Sequence, residues 1–183
     1  MSHLLEVKNL DVKFDTDEGR ITAVENISLS VDEGEVLGIV GESGSGKSVT
    51  AKSIMQLNPG NTSYNENAEI ILDNENVLKF NSKEDLKKIR GGKVSMIFQE
   101  PMASFAPAIK IGSQMVEQLL IHKKINKDEA KSISVNMLKR VGIADAEKRF
   151  NQYAFELSGG MRQRAMIAMA LSTMPKLLLA DEP

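Results

Sequence analysis

The run Gly41-Glu42-Ser43-Gly44-Ser45-Gly46-Lys47-Ser48 combines the residue types that polyphosphate binding requires. Glycines let successive backbone amides converge on phosphate oxygens, Lys47 supplies a cation to the β/γ oxygens, and Ser48 offers a hydroxyl ligand to magnesium. The spacing Gly41-x4-Gly46-Lys47-Ser48 fits the P-loop pattern without departure, so the expected ligand is a nucleoside triphosphate with Mg²⁺. Far downstream, the apolar run Leu177 to Ala180 ends in Asp181 and Glu182. Asp181 can hold magnesium, directly or through water, and Glu182, projecting differently, can polarise an attacking water. Paired acids are also a common way to end a strand, and it is the P-loop upstream that gives these two a chemical meaning. Between the two lies Leu157-Ser158-Gly159-Gly160, which on its own reads as a helix cap: Ser158 satisfies free amides and the glycines mark a turn.

These groups need elements to hold them. Val36 to Val40 is a short continuous apolar run, the pattern of a strand buried on both faces, and it leads directly into the glycine-rich loop. A helix is predicted from near Gly46 to about Leu57. Upstream, Leu4 to Phe14 and Ile21 to Val31 alternate around the polar run Asp15 to Gly19, which predicts an antiparallel hairpin. A second hairpin is predicted across Asp73 to Asn76. Ser82 followed by Asp85 suggests a helix start, Gly91-Gly92 breaks that helix, and Val94 to Phe98 reads as a second core strand ended by Gln99-Glu100-Pro101. From Ile111 to about Phe150 the pattern turns helical: Asn126 can cap, and Ala130, Ile133, Met137, Leu138 and Val141 share a face before Gly142. This reads as an inserted helical subdomain. A further helix runs from the Ser158 cap to about Ser172, with Met161, Met166 and Met169 assigned to the core, before the strand Leu177 to Ala180.

Composition narrows the class. The 183 residues are 42% hydrophobic, enough for one domain with a substantial core. Lysines and arginines number 23 against 25 acids, so nothing in the overall charge favours nucleic acid or an anionic membrane surface. The absence of cysteine removes disulfides, thiolate metal sites and cysteine nucleophiles. The N-terminus does not read as a secretory signal, and no stretch approaches the roughly 20 apolar residues of a membrane span. His3 and His122 stand apart from any cluster with ligand spacing, which favours surface or packing roles.

The order of P-loop, a glutamine after a strand, Leu157-Ser158-Gly159-Gly160-Met161-Arg162-Gln163-Arg164 and Asp181-Glu182 resembles the nucleotide-binding domain of ABC transporters over essentially the whole chain. The resemblance implies an α/β P-loop NTPase fold with an N-terminal antiparallel β subdomain, an inserted helical subdomain and a missing C-terminal part of the core. It divides residues 1–183 into a β subdomain with the P-loop core (1–98), a Gln loop with the helical subdomain (99–156), and a signature helix with the final strand (157–183). Nucleotide contacts are expected from Phe14, Gly41, Ser43, Gly44, Ser45, Gly46, Lys47, Ser48 and Val49, and from Ser158, Gly159 and Gly160 acting on ATP held by a second subunit. Magnesium is expected on Ser48, Gln99 and Asp181, with Glu182, Lys47 and Gln99 as the catalytic set. Phe14 would lie against the adenine; an ordinary hairpin core residue is the alternative.

More narrowly, Gly41 to Thr50, Met96 to Met102 and Leu157 to Ala170 resemble ATPases of dipeptide and oligopeptide importers, a subfamily that also serves nickel and related small solutes. Two departures stand out: Ala103-Ser104-Phe105-Ala106-Pro107 where relatives commonly show Thr-Ser-Leu-Asn-Pro, and Tyr153-Ala154-Phe155-Glu156 where they show Tyr-Pro-His-Glu or similar. The implied partners are membrane subunits, a second ATPase subunit (identical or homologous) and, indirectly, an extracytoplasmic solute-binding protein, with no nucleic acid. The implied location is cytoplasmic, peripheral on the inner face of the membrane. Met102, Phe105 and Met115 are expected to form a docking groove for a helix of the membrane subunit, with core packing as the alternative. In the family the chain continues past the position of Pro183 through further strands and a histidine that contacts the γ-phosphate; His3 and His122 both precede Asp181 and cannot fill that position. Uncovered apolar sheet surface and weak independent turnover are therefore expected of these 183 residues, and a nucleotide-binding fragment without productive turnover is the second reading.

Overall fold

The computed structural model describes residues 3–183. It divides into two compact units, one running through Ile89 and the other spanning Arg90–Pro183.

The first unit is built on β1 (Leu5–Thr16), which pairs antiparallel with β2 (Gly19–Val31). Leu5, Val7, Leu10 and Val12 of β1 are buried, the inward face that the alternating pattern predicts. After α1 (Lys47–Ile54), β3 (Thr62–Tyr64) and β4 (Glu69–Leu72) also pair with β1, and β5 (Glu75–Asn76) pairs with β4. The β4–β5 turn is the two-residue kind that twisted hairpins favour: Asp73 and Asn74 both have positive φ, 49° and 67°. Helix α1 ends three residues before the expected Leu57. Gln56 adopts a left-handed φ of 50°, its amide bonds to Ser53 O, and the Leu57 amide reaches back to Lys52 O. This is a Schellman termination without the glycine that usually announces one. The Gln56 side chain also donates to Val77 O and Phe80 O, which fixes it at the short 3-10 turn Val77–Lys79. Helix α2 (Lys83–Ile89) closes the unit, and Ser82 caps it by accepting from the Asp85 amide at 3.1 Å.

One expectation fails here. Val36 to Val40 is not a buried strand: it has no ladder partner among the described residues, and Val36 and Val40 are 95% and 97% exposed. A run buried on both faces needs a bonded neighbour on either side. Within this unit the edges of β1 are already taken by β2, β3 and β4, and the segment stays unpaired and open.

In the second unit β6 (Val94–Ile97) runs parallel to β7 (Leu177–Ala180), with Val94 opposite Leu177 and Ile97 opposite Ala180. All four β6 residues are buried, as the sequence predicts, but in β7 only Leu177 is. The rest of β7 is open because among the described residues this sheet has two strands and each has a free edge, the uncovered apolar sheet surface that the sequence leads one to expect. Helices α3 (Ile111–His122), α4 (Lys127–Arg140), α5 (Ala146–Phe150) and α6 (Gly159–Ser172) share one core, formed around Ile111, Met115, Leu119, Ala130, Leu138 and Met166. Asn126 caps α4 by accepting from the Glu129 amide at 2.9 Å, as its position predicts. Phe105 and Met115 lie inside this core and cannot form a docking surface; of the expected groove only Met102 is exposed, at 39%. Met166 is buried and Met161 and Met169 pack against the same core. No helix among the described residues is long and apolar enough to cross a membrane.

Candidate nucleotide site

In the first unit the phosphate loop is held by the hairpin. The β1–β2 register slips between Val12↔Val24 and Lys13↔Thr22, which leaves Ala23 as an extra residue on β2. Its carbonyl oxygen faces Gly46: a Cβ on Gly46 would lie 2.6 Å from Ala23 O and 3.0 Å from Val24 Cγ2. Gly46 also has φ 90° and is the N-cap of α1. Both conditions call for glycine, and together they explain why the helix starts where its first amides can face a ligand.

Ahead of the helix, Gly41, Ser43, Gly44 and Ser45 are exposed, with a turn closed by Ser45 N donating to Glu42 O at 3.2 Å. Lys47 Nζ donates to Gly41 O at 2.8 Å and Glu42 O at 2.9 Å. The ammonium thus folds back over its own loop and is held there by two neutral carbonyls, an arrangement that an anionic oxygen can replace with gain. Ser48 and Val49 follow in the first turn of α1, and Thr50 bonds to Gly46 O through both its amide and its hydroxyl. Phe14 lies two residues along β1 from Val12, paired with Ile21 on one side and Thr62 on the other. It is half-buried, and Ile21 beside it is 56% exposed, so the ring belongs to a partly open surface of the hairpin end.

In the second unit, the parallel pair β6–β7 brings Gln99 and Glu182 together just beyond the strand ends. Gln99 Nε2 donates to Glu182 Oε2 at 2.5 Å, and Asp181 N donates to Ile97 O at 3.0 Å. Glu182 has φ 47°, in the left-handed region. The glutamine and the second acid therefore meet at the C-terminal ends of parallel strands, the end at which such sheets carry their ligands.

The signature residues occupy the start of α6. Ser158 is its N-cap and accepts from Met161 N at 3.4 Å; Ser158, Gly159 and Gly160 are all exposed, and a Cβ on either glycine would meet nothing in this chain. The turn is anchored from behind. Arg162 Nη1 donates to Met102 Sδ at 3.2 Å, Ser104 Oγ to Met166 Sδ at 3.1 Å, and Arg164 Nη1 to Gly142 O at the C-terminal end of α4 at 2.9 Å. An exposed helix N-terminus with open glycines is a surface on which an anion can bind.

Sequence reasoning did not find the Ala23 bulge, the thioether contacts of Met102 and Met166, or the ring stack of Tyr153 on Phe155. Only the last carried a signal, two aromatics two residues apart beside the signature.

A glycine-rich loop leading into a helix, with an acid pair closing a parallel strand, defines a nucleotide-binding protein of the P-loop class. The chain belongs to the ABC transporter family, whose model matches residues 24–183. It is 48% identical over 183 residues to the oligopeptide transport ATP-binding protein OppD of Bacillus subtilis, covering 100% of this chain and 51% of the relative. It is also 48% identical over 181 residues to the dipeptide transport ATP-binding protein DppD of Lactococcus lactis, covering 98% of this chain and 51% of the relative. The chain thus spans about half the length of these curated relatives. Among solved structures it resembles the dimeric ATP-binding cassette MJ0796 bound to ADP and Pi, with a TM-score of 0.84 and 28% identity, covering 97% of this chain and 73% of that one. It also resembles cbiO1 from Clostridium perfringens, part of the ABC transporter complex cbiONQ, with a TM-score of 0.74 and 27% identity, covering 100% of this chain and 66% of that one.

Proposed function

We propose that this chain is the ATP-binding and ATP-hydrolysing part of an ABC importer, with di- or oligopeptides as the transported solute. The observation that carries the activity is the Gln99–Glu182 hydrogen bond at the strand ends of a chain that also carries a complete P-loop. The solute class rests on near-half identity, along the whole chain, to proteins described as oligopeptide and dipeptide transport ATP-binding proteins.

The residues divide the work by chemistry. Amides from Gly41 to Val49 bind the phosphates, and Lys47 exchanges its two carbonyl partners for β/γ oxygens. The Ser48 hydroxyl, the Asp181 carboxylate and the Gln99 amide oxygen are hard oxygen donors, the set that suits Mg²⁺. Such an ion, when bound, would offset negative charge on the phosphates during transfer. Glu182 accepts a proton from the attacking water, and Gln99, already bonded to Glu182 Oε2, orients the pair. Phe14 supplies a face for the base. Ser158 and the amides near Gly160, exposed at the start of α6, complete the site of a second subunit, identical or homologous. Membrane subunits of the importer would be driven by the closing and opening of this pair, which places the chain at the cytoplasmic face of the membrane. The test is Glu182→Gln in the full chain with its membrane partners: ATP binding should persist while turnover and peptide uptake fall by at least about a hundredfold. Unchanged turnover would remove Glu182 from the catalytic role.

A further inference from the structure

The turn that follows Gln99 is clasped to α6 by two sulfur contacts made in opposite directions. Arg162 on the helix donates through Nη1 to Met102 Sδ on the turn at 3.2 Å, and Ser104 Oγ on the turn donates to Met166 Sδ on the helix at 3.1 Å. Arg162 and Met166 stand four residues apart, neighbours on a single face of α6. The turn itself, Pro101–Ser104, starts with a proline and ends at Phe105, which is 4% exposed and bonds back to Met102 O through its amide. Its backbone is therefore fixed, and the two thioethers meet their donors in a set geometry. Only one of the two is open. Met166 is buried, whereas Met102 is 39% exposed, and among the described methionines only Met174 is exposed as well.

We propose that Met102 is a site of oxidation by hydroperoxides and that its sulfoxide opens the clasp at Arg162. The consequence for turnover rests on the reading above that this chain hydrolyses ATP. In the step, a lone pair on Sδ forms a bond to the distal peroxide oxygen as the O–O bond breaks. The departing oxygen keeps the electron pair of that bond and takes the proton of the transferred hydroxyl, so the thioether is oxidised to a sulfoxide and the peroxide is reduced to water or an alcohol. A thioether sulfur is a weak acceptor, but a sulfoxide oxygen carries partial negative charge and accepts strongly from a guanidinium. At an Nη1–Sδ distance of 3.2 Å no oxygen fits in line between the two atoms. An N–H···O bond alone needs about 2.7–2.9 Å, so Sδ and Arg162 must separate. With the turn held by Pro101 and Phe105, the displacement falls on Arg162 and the first turn of α6. Gln99 lies two residues before the turn and Ser158 four residues before Arg162, so the change reaches both segments of the proposed site.

The experiment treats the full chain with hydrogen peroxide and compares it with the untreated protein in three ways: peptide mapping of each methionine, amide hydrogen exchange across α6, and ATP turnover. Met102 and Met174 should each gain one oxygen while Met115 and Met166 stay reduced. Exchange at the start of α6 should quicken and turnover should fall about tenfold or more, since small misplacements at a catalytic site are costly. Methionine sulfoxide reductase should reverse both changes. Met102→Leu, which has no sulfur at that position, should keep its own untreated exchange and turnover under peroxide, whereas Met174→Leu should respond as the parent does. Met102 left reduced, Met102 oxidised with exchange or turnover unchanged, or a loss that persists in Met102→Leu would overturn the proposal. If the untreated chain hydrolyses no ATP, the function proposed above falls, and mapping with hydrogen exchange then decides the Met102 assignment by itself.

Discussion

Replacing Gly46 with alanine adds two separable penalties. The first is conformational: at φ 90° an L-residue is strained by about 1–2 kcal/mol. The second is steric, because the new Cβ would stand 2.6 Å from the Ala23 carbonyl oxygen, which is backbone and cannot rotate away. Relieving that contact means shifting either the β2 bulge or the start of α1, at a cost of about 1–3 kcal/mol by the standard of overpacked sites. Gly44 provides the control. It has φ 83°, yet a Cβ there would meet nothing within 4 Å. Gly44→Ala should therefore carry only the conformational penalty and Gly46→Ala both, a difference of about 1–3 kcal/mol. Urea unfolding of the full chain measures it, and ATP titration shows whether the displaced helix start also loses phosphate affinity. Equal destabilisation of the two variants would refute the claim that the Ala23 carbonyl fixes the loop.

Met115→Ala, at a fully buried position of the helical core, should cost about 2–5 kcal/mol, whereas Met102→Ala at its exposed site should cost well under that; equal melting shifts would return Met115 to the surface. Removing the α4 cap with Asn126→Ala should lower stability by about 1 kcal/mol in denaturant unfolding, and no change would mean that the bond to Glu129 N contributes nothing. The Asp85 carboxyl is held below its ordinary value by a hydrogen bond from Lys88 first and from Ser82 second. Its contribution to stability is therefore fully present above the ordinary carboxylate pKa and is lost as pH falls through the depressed value. Asp85→Asn should flatten that part of the acid limb of a stability–pH profile, and an unaltered limb would contradict the assignment.

The chemistry-bearing loops were legible because each couples residue type to a local geometric need. Gly46, Asn126, Ser158 and the Asp73-Asn74 turn all sit where backbone physics favours those residues. The hairpin of β1 and β2 and the four-residue β6 followed from alternation and from a continuous apolar run. The same apolar-run signal misled at Val36 to Val40, because hydrophobicity reports what a segment can bury and not whether a partner strand lies beside it. The α1 terminus was misplaced because Gln56, not glycine, takes the left-handed position, and its side-chain bonds to Val77 and Phe80 are tertiary. Phe105 and Met115 were drawn toward the surface by position relative to Gln99, while their burial depends on how α3 packs against α4 and α6. The Ala23 bulge left no mark in composition at all, since its role is carried by a backbone carbonyl.

The central claim is that one chain carries two half-sites, a P-loop for its own nucleotide and an α6 N-terminus for its partner's. Mixing two inactive full-length variants, Lys47→Ala and Ser158→Arg, tests it most directly, because a mixed pair would contain one site with both Lys47 and Ser158 intact. The account predicts that neither variant hydrolyses ATP alone and that the mixture regains turnover. A mixture that stays inactive while the two variants associate, or a Ser158→Arg protein that turns over normally by itself, would contradict it.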